Sequence, residues 1–169
     1  MKLKFAKKAT LLVSAMALAG MAWAQQKPAE LKVGITTFLS GPASVFGVPA
    51  KAAAEILIDD LNAQGGIAGV KITPVFIDEG LGGDKLLSEY RRVVQDQGVR
   101  TTFSAISSGN CNIVAPVAED LKVLNVMWDC GTEKLLEDKK YRYVVRTQAN
   151  ATTEMVATVI YLLKTNPNF

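Results

Sequence analysis

The feature that most constrains the fold is a regular alternation of apolar, β-branched runs with segments of helical periodicity. Five runs predict strands, at residues 31–37, 70–77, 99–106, 123–128 and 141–147. Helical segments separate them, at 49–64, 84–97, 111–122 and 152–164, with a short helical turn at 132–138. Strands joined by helical crossovers pair in parallel, and near-continuous apolar strands belong in a sheet covered on both faces. The sequence therefore predicts an α/β protein with a doubly wound parallel sheet.

Two of the predicted helices have a clear apolar face and recognisable ends. Pro49 suits the opening turn of the first, and Gly65-Gly66 suits its end. Asp84 can cap the second, and Gly98 can end it. Periodicity places these side chains inward: Ala50, Ala53, Ala54, Leu57, Ile58 and Leu61 in the first helix, and Leu86, Leu87, Tyr90, Val93 and Val94 in the second. It places Lys51, Glu55, Asp59 and Asn62 largely outward.

The first 24 residues have the pattern of a cleavable export signal. A basic start precedes an apolar run at 9–22, and the segment closes on Ala22-Trp23-Ala24, with small residues where a signal peptidase needs them. The alternative, a buried N-terminal helix, fits poorly with four lysines, Lys2, Lys4, Lys7 and Lys8. We expect secretion through the Sec pathway, cleavage after Ala24 and a periplasmic mature protein.

Composition excludes several classes of function. The chain has 19 basic and 16 acidic residues, and loss of the four signal lysines leaves 15 against 16, a net charge of −1. That balance gives no electrostatic basis for nucleic-acid binding. The chain has no histidine, which removes Ser-His-Asp and Cys-His catalysis and the commonest zinc ligand. Gly41 and Gly47 form no dinucleotide or P-loop pattern. We expect no enzyme, no metal and no cofactor.

The two cysteines, Cys111 and Cys130, remain in the mature chain. In an oxidising compartment they can form a disulfide that closes a loop of about 20 residues, worth about 3 kcal/mol. The alternative is a pair of buried free thiols.

Three segments compete for a ligand site at the carboxyl ends of the strands, where open parallel sheets bind ligands. They are residues 40–47, 107–110 and 129–132. The second, Ser107-Ser108-Gly109-Asn110, opens a helix whose free N–H groups favour an anion, although a serine or Asn110 can simply cap that helix. Asp78-Glu79, after the second strand, is interpreted as a solvated strand end.

The other two segments add an aromatic and an acidic candidate. Phe46 in the first loop can line a pocket or plug the end of the sheet. In the third segment Trp128 can belong to the core, and Asp129 can cap the turn that follows.

Four motifs together resemble a known family. They are Lys32-Val33-Gly34-Ile35, Leu39-Ser40-Gly41-Pro42, the helix end Asn62-Ala63-Gln64-Gly65-Gly66-Ile67 and Ala115-Pro116-Val117-Ala118-Glu119. From about residue 31 to 164 the chain is similar to the branched-chain amino-acid-binding proteins of the type I periplasmic binding fold. The resemblance implies two lobes joined by three hinge strands, ligand trapped between them, and delivery to a membrane ABC permease. It makes this chain an N-terminal fragment: signal 1–24, first lobe 25–147, crossing 148–151 and the start of a second lobe at 152–169.

The resemblance also implies roles for individual residues. Ser108 matches a serine that contacts the ligand carboxylate, Phe46 a pocket aromatic, and further contacts fall near Asp129, Gly131 and Thr132. Members often have Ser-Pro where this chain has Met127 to Thr132, so the solute need not be a branched-chain amino acid. A buried Asp129 would need a cation or a donor, which admits a hydroxylated or amine-bearing solute.

We therefore predict a monomeric, periplasmic binding protein for a small polar organic solute. The competing hypotheses are a ligand-sensing receptor or regulator of the same fold and an exported enzyme.

Overall fold

The computed structural model describes residues 27–104 and 106–166. The predicted signal peptide lies outside this range. The strands are β1 (Glu30–Thr37), β2 (Lys71–Asp78), β3 (Thr101–Ser104), β4 (Leu124–Met127) and β5 (Val144–Arg146). The helices are α1 (Ser44–Ala63), α2 (Gly83–Asp96), α3 (Ser108–Asp120) and α4 (Ala151–Thr165), with a 3-10 turn at Glu79–Leu81.

The sheet has the order β2-β1-β3-β4-β5, with every neighbouring pair parallel. The chain moves outward from β1 to β2 and then returns past β1 to β3, so the direction of winding reverses between β1 and β3. The predicted doubly wound parallel α/β fold is confirmed.

The core has one part on each face of the sheet. Val33 and Ile35 of β1 pack with Ile58 of α1 on one face. Helices α2 and α3 cover the other face, where Ile77, Tyr90, Val93, Val114 and Met127 are buried. The inward face predicted for the second helix is confirmed, because Leu86, Tyr90, Val93 and Val94 are buried and Leu87 packs partly buried against them.

Helix α1 differs from its prediction at its start. It begins at Ser44 rather than Pro49, so Phe46 and Gly47 are helical rather than in a loop. The early start depends on Gly47, which lies against β1 so closely that a Cβ there would be 2.0 Å from the carbonyl oxygen of Phe38. Pro49 therefore lies inside the helix, on its exposed side.

The predicted apolar face of α1 is also partly wrong. Ala50, Ala54 and Ile58 face the sheet, but Ala53, Leu57 and Leu61 are exposed, Leu57 to 64%. Asn62, predicted outward, turns inward because its amide donates to the carbonyl oxygen of Ile72 and accepts from the Ile72 N–H, both at 2.8 Å. These two bonds turn the Asn62 side of the helix toward the edge strand β2. Its larger apolar side chains, Leu57 and Leu61, therefore face away from the sheet.

Other boundaries shift for local reasons. Asp84 was predicted to cap α2, but it lies in the first turn of that helix, and Gly82 is the N-cap residue. Strand β5 is shorter than predicted because the Glu119 carboxylate accepts from the N–H groups of Arg142 and Tyr143. The short helical turn predicted at 132–138 is present over fewer residues, at 134–137, where the Glu137 N–H donates to the Glu133 carbonyl oxygen at 3.3 Å.

Part of the α1 side of the sheet is uncovered in the described chain. Phe103, Leu124 and Val145 lie on this side and are exposed. Helix α4 buries none of its residues, although most of its side chains are apolar. Of the helices in the described ranges, none combines the length and the hydropathy that a membrane crossing requires.

Candidate functional site

A cavity of about 490 Å³ opens at the carboxyl ends of the strands, between the start of α3, the chain after β4 and the start of α4. It brings together four residues predicted from sequence, Ser108, Asp129, Gly131 and Thr132. Its wall also includes residues that sequence analysis did not select: Glu133, Gln148, Ala151 and Glu154.

The start of α3 divides the predicted segment 107–110 into two roles. The Ser107 hydroxyl caps the helix by accepting from the Asn110 N–H at 3.4 Å. The Asn110 amide donates to the Glu79 carboxylate at 3.2 Å. Ser107 therefore has the capping role that was considered as its alternative, whereas the Asn110 side chain does not cap the helix and binds Glu79.

Glu79 is an internal anion at this helix start. Its carboxylate accepts from the N–H of Ile106 at 2.9 Å and from the N–H of Ser107 at 2.6 Å. The residue is fully buried, so its interpretation as a solvated strand end is wrong. Burial raises the pKa of Glu79; the hydrogen bonds from Ile106, Ser107 and Asn110 oppose that rise, and the nearby charge of Asp129 adds to it. Sequence carried no signal for this role beyond an acid directly after a strand.

The neighbouring Asp78 holds the loop after β1. Its carboxylate accepts from the N–H groups of Leu39, Ser40 and Gly80 and from the Ser40 hydroxyl at 2.6 Å. Although burial opposes ionisation, these bonds lower the pKa of Asp78. Asp78 is thus a structural residue, and the serine of the Leu39-Ser40-Gly41-Pro42 motif is its partner.

Two donors at the start of α3 remain for a ligand. Ser108 and Gly109 occupy the first turn, where backbone N–H groups have no partner within the helix. Both residues are exposed, and Ser108 lines the cavity with its hydroxyl available. Gly109 is next to Ser108 but is not part of the cavity lining, and it can offer a ligand only its backbone N–H.

A disulfide joins the two segments of the site. Cys111 and Cys130 are bonded with an S–S distance of 2.12 Å, and both are fully buried. Cys111 lies one turn after Ser108, and Cys130 directly follows Asp129. The bond therefore ties the first turn of α3 to the chain after β4.

Hydrogen bonds from β5 and from the start of α4 hold the segment 129–133 in place. The Arg146 guanidinium donates to the Thr132 carbonyl oxygen at 2.6 Å, and the Ala151 N–H donates to the Gly131 carbonyl oxygen at 2.9 Å. The Glu133 carboxylate accepts from the N–H and hydroxyl of Thr152 at 2.7 and 2.6 Å. These bonds explain why residues from the start of α4 share the cavity wall.

Asp129 differs from its neighbours because no hydrogen bond holds its carboxylate within the described chain. Asp129 is exposed, so the described chain does not bury its carboxylate. Its pKa is raised, first by partial desolvation and then by the negative charge of Glu154. Asp129 does not cap the turn after it.

The two aromatic candidates lie apart from the cavity lining. Phe46 is on the outer side of the first turn of α1 and is 66% exposed. Trp128 is half-buried, and its indole N–H is enclosed without a partner among the described residues. It follows the last residue of β4 and belongs to neither core cluster, so the core role considered from sequence does not hold.

The parallel sheet reverses direction at its centre and has a polar cavity at its carboxyl ends, which is the architecture of doubly wound α/β proteins that bind ligands at this edge. The family comparison is more specific. Residues 30–167 match the periplasmic binding protein family, and the chain belongs to that family.

Relatives and solved structures agree with this assignment. The Leu/Ile/Val/Thr-binding protein of Salmonella typhimurium is 29% identical over 133 residues, 79% of this chain and 35% of that protein. The Leu/Ile/Val-binding protein of Escherichia coli K12 is 27% identical over 79% of this chain and 35% of its own length. This chain thus spans about a third of the length of these relatives.

Two solved structures share the fold. LivJ from Streptococcus pneumoniae, in complex with isoleucine, superposes with a TM-score of 0.66 at 21% identity, over 72% of this chain and 34% of that one. A solute binding protein of an ABC transporter from Rhodopseudomonas palustris HaA2, in complex with p-hydroxybenzoic acid, gives 0.68 at 24% identity, over 81% and 36%. The predicted family is confirmed.

Proposed function

We propose that this chain supplies the first lobe of a periplasmic solute-binding protein, which captures a small polar organic solute and passes it to a membrane ABC permease. The observation that carries the proposal is the cavity itself. It joins the open first turn of α3 to the segment 129–132 at the position where α/β sheets bind ligands. Relatives named for binding Leu, Ile and Val and a neighbour bound to p-hydroxybenzoic acid support this class of solute.

Within this function, Ser108 is the contact for a carboxylate. In the described chain, the bonds that hold the helix start use neither its hydroxyl, nor its backbone N–H, nor the N–H of Gly109. A carboxylate placed there accepts charge-assisted hydrogen bonds and faces the positive end of the helix dipole. Gly131 and Thr132 form the opposite wall, and Phe46 can act only if the second lobe brings the solute toward α1.

The division into lobes follows the same proposal. Residues 25–147 form the first lobe, 148–151 the crossing, and 152–169 the start of the second lobe. The exposure of every apolar side chain at the start and middle of α4 supports this boundary, since a helix of the first lobe would bury one face. Export by the segment 1–24, with cleavage after Ala24, places the protein in the periplasm.

We further propose that the protein binds without catalysis and acts as a monomer. The family consists of binding proteins, and the chain has no histidine to act as general base. The cavity wall is rich in carboxylates, which opposes an interaction with nucleic acid.

The test is a thermal-shift screen of amino acids and organic acids on the intact exported protein, followed by isothermal titration calorimetry of each hit. Bound solute raises the melting temperature by mass action. Ser108→Ala should weaken binding of a carboxylate-bearing hit about tenfold or more, because a hydrogen bond to a charged group contributes about 1.5–3 kcal/mol.

Ser88→Ala is the matched control, because Ser88 is an exposed serine on α2 outside this cavity. Equal affinity in the Ser108 variant and the control would contradict the carboxylate contact. A screen without any stabilising solute would contradict the binding function.

A further inference from the structure

The segment after β4 contains three backbone groups that no other backbone group pairs with in the described chain. They are the carbonyl oxygen of Trp128 and the N–H groups of Cys130 and Gly131. Cys130 is fully buried, so its N–H is closed off from bulk water. A buried N–H without a partner costs free energy comparable to a lost hydrogen bond, so these groups call for a partner from a side chain.

The side-chain amide of Gln148 satisfies all three groups. Its nitrogen donates to the Trp128 carbonyl oxygen at 3.2 Å, and its oxygen accepts from the N–H groups of Cys130 at 3.1 Å and Gly131 at 3.3 Å. This orientation of the amide is the one that matches each donor to an acceptor. Gln148 is half-buried and belongs to the wall of the cavity.

These bonds lie between two backbone bonds that join the same two stretches of chain. On one side the Thr147 N–H donates to the Met127 carbonyl oxygen at 3.1 Å, and on the other the Ala151 N–H donates to the Gly131 carbonyl oxygen at 2.9 Å. The two backbone bonds hold carbonyl oxygens, whereas Gln148 also holds N–H groups. Because each peptide group is planar, the bonds of Gln148 fix the two peptide planes on either side of the buried cysteine.

We propose that Gln148 is a positioning residue for solute binding, which orients the peptide planes of the cavity wall between Asp129 and Gly131. This inference rests on the proposed function and adds a residue that acts on the site through the backbone of another segment. A wall that is fixed before the solute arrives lowers the ordering cost of binding. The same bonds use the N–H groups of Cys130 and Gly131 internally, so these two groups are not donors to the solute.

The first test needs no solute. Amide hydrogen exchange on the intact exported protein, followed by NMR, should show protection at Cys130 and Gly131. Gln148→Ala should speed exchange at both amides at least about fivefold, the effect of losing one ordinary hydrogen bond. Gln148→Glu keeps an acceptor oxygen, so both amides should exchange more slowly in it than in Gln148→Ala. Gln95→Ala is the matched control and should leave both rates unchanged, since Gln95 is an exposed glutamine on α2.

The second test measures binding by calorimetry on the same variants. L-Leucine and 4-hydroxybenzoate are the probes, since a relative is named for binding leucine and a structural neighbour holds p-hydroxybenzoic acid. If neither binds the parent, the hits of the thermal-shift screen replace them. The probe that binds the parent should bind Gln148→Ala at least about fivefold more weakly and should bind Gln95→Ala equally well.

Unchanged exchange at Cys130 and Gly131 in Gln148→Ala would overturn the inference and leave the solute-binding function standing. A loss of affinity without a change in exchange would overturn it as well, because Gln148 would then be a direct solute contact. Faster exchange with undiminished affinity would also contradict it, since the bonds would serve the fold alone. If neither the probes nor the screen yields a solute for the parent, the proposed function itself fails, whatever the exchange rates show.

Discussion

Removal of the Cys111–Cys130 disulfide should destabilise the protein and loosen its site together. The double variant Cys111→Ala/Cys130→Ala opens a loop whose ends are 19 residues apart. The chain-entropy relation for a loop of about 20 residues gives about 3 kcal/mol at 25 °C. For a domain of this size, that loss corresponds to a fall of about 10 °C in melting temperature.

The assay is thermal unfolding followed by circular dichroism, on protein exported to the periplasm so that the bond can form. Dithiothreitol should lower the melting temperature of the parent toward that of the double variant and leave the variant unchanged. Solute affinity should fall in the reduced parent and in the double variant, because the disulfide fixes Ser108 relative to Asp129. Two titratable thiols in the unreduced exported parent, or a melting temperature insensitive to reductant, would refute the reasoning.

Two further predictions concern α1. Gly47→Ala should lower the free energy of unfolding by about 1–3 kcal/mol in urea denaturation, because its Cβ would overlap the Phe38 carbonyl oxygen. An unchanged midpoint would show that the helix start can move away from β1. Ile58→Ala should cost about 2–4 kcal/mol, whereas Leu57→Ala should change stability by about 0.5 kcal/mol or less, because Ile58 faces the sheet and Leu57 is exposed. Equal losses in the same assay would restore the helix face predicted from sequence.

The helix face that the sequence predicted wrongly shows a limit of periodicity. Ala50, Ala54 and Ile58 agree with both the predicted face and the observed one, since adjacent faces share residues. The choice between them depends on Gly47 against Phe38 and on Asn62 against the edge strand. Both contacts join the helix to the chain beside it in the sheet, and helical periodicity describes only the helix itself, so the pattern does not contain them. The strands, by contrast, were recognisable because β-branched runs between turn residues are a local signal.

The candidate site was predictable to a similar extent. Ser108, Asp129, Gly131 and Thr132 follow the strand ends, and the rule for parallel sheets places such residues at one edge. Gln148 and Glu154 also line the cavity, because the chain after β5 is hydrogen-bonded to the segment 129–133. The Ala151 N–H donates to the Gly131 carbonyl oxygen and the Thr152 N–H to the Glu133 carboxylate, and no sequence pattern predicts these bonds.

The first turn of α3 shows how one helix start can serve structure and binding at once. Glu79 takes the N–H groups of Ile106 and Ser107, and the Ser107 hydroxyl takes that of Asn110. Within the described ranges, the donors of Ser108 and Gly109 in this turn have no partner, and both residues are exposed beside the cavity. The internal anion fixes the helix start but also weakens its attraction for an incoming anion.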